Sequence, residues 1–350
     1  MPPQETMRAI IKPEAGQGLE IRNWPVPKPD SEEVLVEVLA ASICGTDLHI
    51  YHWDEWSAGR IKPPMVVGHE LAGRVIEIGS KVKNVAVDDM ISAETHITCG
   101  ECDQCKRNQA HFCPNTRIIG VDQDGVFAKY AKFPAKCAWK NPPDMLPEIA
   151  CLQEPLGNAV YATTEHELTG KIVAITGLGP FGLFAAAIAK VMGASHVVGI
   201  EPNEFRAQLG YRMGADEVLD PRDSTVEEQF RDITGGHMAD VLLEMSGRPD
   251  AIRLGFKLLT TGGSVSLFGL PPGPVELDLA DAVIFKGARI AGIAGRKIFD
   301  TWYQTSRLLS SGRLDIRPVI THQFPMSRFL EGLELMDNAQ SGKVVLIPDF

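Results

Sequence analysis

Ile172-Val-Ala-Ile-Thr176-Gly177-Leu-Gly179-Pro-Phe181-Gly182-Leu-Phe-Ala-Ala-Ala-Ile-Ala-Lys190 is the stretch that decides the fold. A short apolar run, 172–176, feeds into three glycines in GxGxxG spacing. The apolar segment 180–192 then follows, with Pro180 near its first position and Gly193 past its end, the pattern of a helix. GxGxxG alone is weak evidence, but between a strand and a helix it reads as a dinucleotide fingerprint. Gly177 permits the tight turn, Gly179 lets backbone approach a pyrophosphate, and Gly182 lets helix and strand pack closely. The pyrophosphate would lie against the helix amino terminus, where free N–H groups favour an anion. Glu201 follows about twenty residues on, where an acidic side chain accepts from ribose hydroxyls. Its charge disfavours the extra phosphate of NADP, so NAD is expected. Arg206 is the counter-signal, since an arginine there can accommodate that phosphate or lie along the adenosine.

Outward from this stretch the alternation continues. Strands are expected at 196–200, 216–219, 240–245 and 264–268, and helices at 203–213, 225–233 and 250–259. Steady strand–helix order implies α/β architecture, a Rossmann doubly wound parallel sheet. The first half reads differently. Val34, Val36 and Val38 recur at period two, and 71–78 and 126–133 behave similarly, as strands of a compact β-rich domain. After Gly295 the alternation stops, with helices expected at 299–311 and 328–337 and a strand at 343–347. The expected division is a first domain at 1–155, a dinucleotide domain at 156–295 inserted into it, and a return to the first domain at 296–350.

At 350 residues two domains are the default, and 44% hydrophobic content supplies ample core. The net charge of −11 and the lack of any lysine or arginine stripe argue against nucleic acid as a partner. The apolar stretch 181–192 is interrupted by Lys190 and too short to span a bilayer. Met1-Pro-Pro-Gln-Glu-Thr has neither a basic start nor an apolar core, so no secretory leader is expected. A cytoplasmic protein without a membrane partner is the expectation.

Seven cysteines, four of them clustered, read as metal ligands in a reducing compartment rather than as disulfides. Cys99, Cys102, Cys105 and Cys113 supply four thiolates, enough for a closed tetrahedral zinc of structural role. Their loop is too poor in apolar side chains to pack unaided. Cys44 and His69 are candidate ligands of a second metal, with Glu70 adjacent and Glu154 coming from far along the chain. One thiolate, one imidazole and one or two carboxylates leave a coordination position open for chemistry. Taken singly, Cys44 reads equally as a small core residue, His69 as a structural group, and Glu70 as a group that orients a neighbour.

Cys44-Gly-Thr46-Asp47, Val67-Gly-His69-Glu70, the four-cysteine lobe and the later GxGxxG together resemble the zinc-dependent medium-chain alcohol dehydrogenases, across nearly the whole chain. The resemblance implies a GroES-like β-rich catalytic domain around the Rossmann domain, two zinc ions per subunit, and a homotetramer. It implies that Cys44, His69 and Glu70 bind the catalytic zinc. Thr46 and His49 fall where the family keeps its proton relay, and imidazole suits a terminal proton acceptor. Glu154 matches an acidic position that either ligates the metal or assists the relay. Phe181, Phe268, Gly269, Leu270, Gly292 and Ile293 match segments that line the cofactor.

A narrower likeness, within that family, is to members that oxidise the secondary hydroxyl of L-threonine to 2-amino-3-oxobutanoate. It is carried by 43–56, most of all its Trp53-Asp-Glu-Trp56, and by 95–100, 285–287, 301–303 and 341–344. An amino-acid substrate needs partners for its ammonium and carboxylate, for which Asp54, Glu55, His96 and Arg296 are candidates; Trp53 and Trp56 read as packing. The alternatives are an NAD-dependent polyol or 2,3-butanediol dehydrogenase on the same scaffold, and a non-catalytic dinucleotide-binding structural protein.

Overall fold

The computed structural model describes residues 5–350, so the leader reading at Met1-Pro-Pro-Gln lies outside them. The described residues divide into two compact units: 5–154 with 322–338 and 343–350, and 155–321 with 339–342.

The first unit is built on a sheet whose strand order is Ala138–Lys140, Met90–Ala93, Glu70–Ile78, Glu33–Ser42, Lys343–Ile347 and Ile320–Pro325, with Tyr130–Pro134 also paired to Glu33–Ser42. Val34, Val36 and Val38 are all buried and belong to its core, as their period-two spacing predicts. Register matters most at the end of the central strand. Ser42 pairs with Glu70 on one side and with Val345 on the other. Chemistry-bearing residues from three distant stretches therefore meet at one place. A second sheet joins Glu20–Pro25, Thr6–Lys12 and Met65–Val66.

The strand expected at 126–133 is shorter than its pattern, covering only Tyr130–Pro134. Residues 125–127 instead bond to the carbonyls of Val66, Val67 and Gly68. Gly125 is pressed so closely that an added Cβ would lie 2.2 Å from the Gly68 carbonyl oxygen. Tertiary packing, not strand pairing, sets that segment.

The second unit carries a six-stranded sheet in the order Glu217–Leu219, His196–Ile200, Ile172–Thr176, Ala239–Glu244, Leu259–Leu267, Arg289–Gly292. Every pairing in it is parallel. The strand carrying the fingerprint is central, and helix Pro180–Val191 buries Leu183 through Ala189. A nearly all-apolar helix of this kind packs against its neighbours on most sides.

The expected return to the first domain after residue 295 is too early. Residues 296–321 belong to the second unit. Helix Asp300–Ser310 buries Thr301, Trp302 and Thr305, and Arg296 lies over the Trp302 ring at 6.0 Å. Arg313 donates to the Val191 carbonyl at the end of the fingerprint helix. The loss of strand–helix alternation marks the end of the parallel sheet, not of the packed unit. Among the described residues no helix is long and apolar enough to cross a membrane.

Trp302 is 1% exposed, and truncating a buried tryptophan costs about 3–5 kcal/mol. Trp302→Ala should strip hydrogen-exchange protection from the parallel sheet while leaving that of strand Glu33–Ser42 intact. Loss confined to the first unit would contradict the assignment of 296–321.

Candidate active site

Cys44 is the N-cap residue of helix Gly45–His52, with extended backbone at φ −106° and ψ 161°. Its N–H donates to the buried Asp47 carboxylate at 2.9 Å, which fixes the turn. A sulfur at this position sits at the positive end of the helix dipole, beside the free N–H groups of the first turn. Thr46, one residue into the helix, places its hydroxyl 3.8 Å from the Cys44 sulfur.

His69 and Glu70 follow Gly68, whose φ of +85° is a left-handed conformation. An added Cβ there would meet the Phe127 ring at 2.2 Å, so only glycine makes this turn. The turn delivers both side chains inward: His69 is 6% exposed and Glu70 fully buried. Ligand atoms of Cys44, His69 and Glu70 all lie within 4.8 Å of one another.

The two oxygens of Glu70 have different surroundings. Oε2 accepts from Ser42 Oγ and from Lys343 Nζ, the latter at 2.5 Å. Oε1 is buried with no hydrogen-bond partner among the described residues, and so is Nδ1 of His69. Lys343 is itself buried and also donates to the Ile43 carbonyl at 2.8 Å. Burial pushes the Glu70 carboxyl up, against the pull of Lys343. Burial likewise pushes His69 down, but Cys44, Asp47 and Glu154 outweigh it and lift the imidazole to about 10. Surroundings that hold a proton so firmly also favour a cation in its place. Sulfur, nitrogen and oxygen donors, two of them orphaned in a buried pocket, fit a zinc ion.

Glu154 accepts from Thr95 Oγ1 at 3.0 Å and is close enough to act electrostatically on His69 and Glu70. It is not one of the three groups whose ligand atoms cluster. His49 is exposed on the same helix as Thr46, with its ring against Asp54. Asp54 and His96, considered as contacts for substrate, are engaged within the unit: Asp54 with His49 and Ser57, His96 with Glu94 at 3.1 Å. Glu55 is exposed. Arg296 is 1% exposed and bonds Asn158 at 3.2 Å within the second unit. Trp53 packs under Lys12, and the Trp56 and His49 rings meet edge to face with centroids 6.0 Å apart.

Cys99, Cys102, Cys105 and Cys113 form the other cluster, with ligand atoms within 4.8 Å of one another. Cys99 and Cys113 sulfurs are 3.5 Å apart, far beyond a disulfide. Backbone N–H groups of Glu101 and Cys102 pull the Cys99 thiol down to about 6, whereas burial pushes Cys105 up to about 12. Thiolates stabilised by backbone donors and left with no open position suit a structural zinc.

In the second unit the predicted cofactor residues gather at the carboxyl ends of the parallel strands, where ligands of such sheets bind. An added Cβ at Gly182 would lie 1.9 Å from the Gly177 carbonyl oxygen, whereas at Gly179 it would meet nothing within 4 Å. That open space at a helix amino terminus has the room and the N–H groups that a phosphate requires. Glu201 closes its strand and accepts from the Leu178 N–H at 2.7 Å and the Asn203 N–H at 3.0 Å, bracing the fingerprint loop. Arg206 sits in the first turns of helix Glu204–Arg212, half-buried, its Nε unpartnered among the described residues. Phe181 and Phe268 rings meet edge to face at 4.8 Å. Gly292 ends its strand, and Ile293 bonds back to the Leu267 carbonyl. Leu270 is 92% exposed and Gly269 is packed against Gly247.

Sequence reasoning missed Lys343 and Glu244. Glu244 is fully buried at a strand end and accepts from the N–H groups of Ser246 and Gly247, shaping the next loop. An acidic residue ending a buried parallel strand, as Glu201 does, is the signal that could have found it. Lys343 lies in the 341–344 segment singled out above, but its partner is hundreds of residues away.

The chain matches the family model for an alcohol dehydrogenase GroES-like domain over residues 30–143 and that for a zinc-binding dehydrogenase over 180–311. It is 50% identical to L-threonine 3-dehydrogenase of Pyrococcus horikoshii over 344 residues, covering 98% of this chain and 99% of that one. It is 48% identical to L-threonine 3-dehydrogenase of Bacillus subtilis strain 168, again over 98% and 99%. Among solved structures, alcohol dehydrogenase TADH from Thermus sp. ATN1 superimposes with a TM-score of 0.88 at 26% identity, over 98% of this chain and all of that one.

Breaking a buried ion pair from one side costs about 3–5 kcal/mol. Lys343→Met should therefore lower the denaturant midpoint substantially, and an unchanged midpoint would show that Glu70 does not depend on its partner. With relatives at this identity over its whole length and both domain models matched, the chain belongs to the zinc-dependent medium-chain alcohol dehydrogenase family.

Proposed function

We propose that this enzyme oxidises the secondary hydroxyl of L-threonine to 2-amino-3-oxobutanoate, with NAD as hydride acceptor and zinc as cofactor. The observation that carries the reading is the Cys44–His69–Glu70 cluster, half-buried at Cys44 and buried at the other two, an incomplete ligand set of the kind that catalytic zinc uses. When bound there, zinc supplies a Lewis acid that makes an alcohol proton easier to remove. The chain's own residues then have two tasks. Thr46, beside Cys44, takes the first position of the proton relay, and His49, exposed farther along the helix, passes the proton to solvent. Glu154 assists from beside His69 without being counted among the ligands.

Glu201 favours NAD over NADP: its carboxylate at the strand end would repel a second phosphate on the ribose, while Arg206 is read as lying along the adenosine. The remaining fingerprint residues, Gly177, Gly179, Phe181 and Gly182, cradle the dinucleotide together with Phe268, Gly269, Leu270, Gly292 and Ile293. Four thiolates of the cysteine lobe hold the second zinc.

The homotetramer expected from the resemblance draws support from the last strand of the parallel sheet. Arg289–Gly292 is an edge strand, and near it Ile284, Phe285 and Ile290 are exposed, Phe285 at 76%. An apolar edge of this kind favours pairing with another copy. A cytoplasmic location fits seven unpaired cysteines.

The decisive assay is NADH formation from L-threonine before and after zinc chelation and readdition, run beside 2,3-butanediol and sorbitol. Zinc-restorable activity with L-threonine well above the other two is expected. Preference for either diol would replace the threonine reading with the polyol one.

A further inference from the structure

We propose that Asp54 is a positioning residue for His49, holding the ring by Nδ1 so that Nε2 is the edge that accepts the proton. This rests on the reading of His49 as the end of the relay.

The chain is bent deliberately at this point. Trp53 caps helix Gly45–His52 in a left-handed conformation, φ 60° and ψ 49°, with its N–H on the His49 carbonyl. A non-glycine residue adopts that backbone only where its surroundings hold it. Here the buried Lys12 does so, its ammonium 4.7 Å from the centre of the Trp53 ring and bonded to the Gly18 carbonyl at 3.0 Å. The bend turns the next residue back along the helix, and Asp54 Oδ2 meets His49 Nδ1 at 2.5 Å.

The carboxylate is held on its other side as well. Asp54 is the N-cap of helix Glu55–Arg60, its Oδ1 accepting from the Ser57 N–H at 2.9 Å. Ser57 Oγ lies 3.0 Å from both that oxygen and the His49 carbonyl, tying the two residues together again. The Ser57 N–H, and then His49, hold the Asp54 carboxyl below the usual range despite some burial, so it stays ionised.

An ionised carboxylate can only accept a hydrogen bond. Nδ1 must therefore carry the proton that faces it, and in the neutral ring the lone pair is left on Nε2. Trp56, edge-on to the ring at 6.0 Å, limits its tilt. His52, the other imidazole on the helix, is occupied elsewhere, with Asp337 at 2.9 Å. The His49 side chain is 60% exposed, so a proton taken at Nε2 can leave to water.

The test compares Asp54→Ser with Asp54→Asn in the zinc-loaded enzyme. Both replacements are good N-caps, so helix Glu55–Arg60 is retained. Asparagine has a single acceptor oxygen: with that oxygen capping Ser57, its NH2 faces Nδ1 and favours the ring protonated at Nε2, whereas serine cannot reach Nδ1 at all. Nitrogen-15 NMR of the histidines should show His49 protonated at Nδ1 in the parent and shifted toward the Nε2 tautomer in both variants, furthest in Asp54→Asn. Turnover of L-threonine should fall about 10- to 100-fold in both variants, with KM changed less than about twofold. His49→Ala combined with Asp54→Ser should be no slower than His49→Ala alone. An unchanged tautomer with unchanged kcat would overturn the proposal, and so would losses that multiply in the double variant. Full turnover in His49→Ala would remove the relay reading and Asp54's part in catalysis with it. That outcome is separately visible, because Asp54→Ser would still change the tautomer.

Discussion

Negative charge buried around one small volume is the constraint on which the first unit depends. Asp47, Glu70 and Glu154 are all nearly or fully removed from water, with the Cys44 sulfur beside them. Carboxylates are not buried without compensation. Lys343 supplies one positive charge and is held in place for it by sheet register, since strand Lys343–Ile347 lies beside the strand that presents Ser42 to Glu70. That lysine, even with a proton on His69, leaves the set short of positive charge. The orphaned atoms of His69 and Glu70 fit a divalent cation as the rest, which on the proposed reading would also help to hold this arrangement of the chain.

Lys343 also decides how Glu70 can serve. With Oε2 committed to Ser42 and Lys343, a single oxygen is left for the cation. A carboxylate gripped on one side approaches a metal through one oxygen, which keeps the ligand set small and preserves room for a substrate hydroxyl. The cysteine lobe follows the opposite logic: four sulfurs, backbone donors around them, and no vacancy. On the proposed reading, two clusters in one unit divide between chemistry and scaffolding by ligand type and count.

Much of this was legible because it is local. The GxGxxG turn, the four-cysteine spacing and the Gly-His-Glu turn each lie within a few residues, and their geometry follows from steric demands that sequence displays directly, as at Gly68 and Gly182. Partners set by register across the chain were not legible. Lys343 meets Glu70 only because two strands flank a third. Asp54 was weighed as a substrate contact because a charged residue in a tryptophan-rich stretch carries no mark of the left-handed bend that turns it onto His49. The segment 296–321 was misplaced for a related reason. Periodicity shows where a parallel sheet stops, but not that Trp302 and Arg313 pack back on the unit just completed.

The proposed chemistry requires a metal held by Cys44 and His69 with a coordination position to spare. Anomalous diffraction at the zinc edge from crystals of the purified protein tests it most directly. The account predicts two peaks per chain, one inside the cysteine lobe and one about 2.3 Å from the Cys44 sulfur and about 2.0–2.1 Å from a His69 nitrogen. A single peak confined to the lobe, from protein fully active on L-threonine, would contradict it.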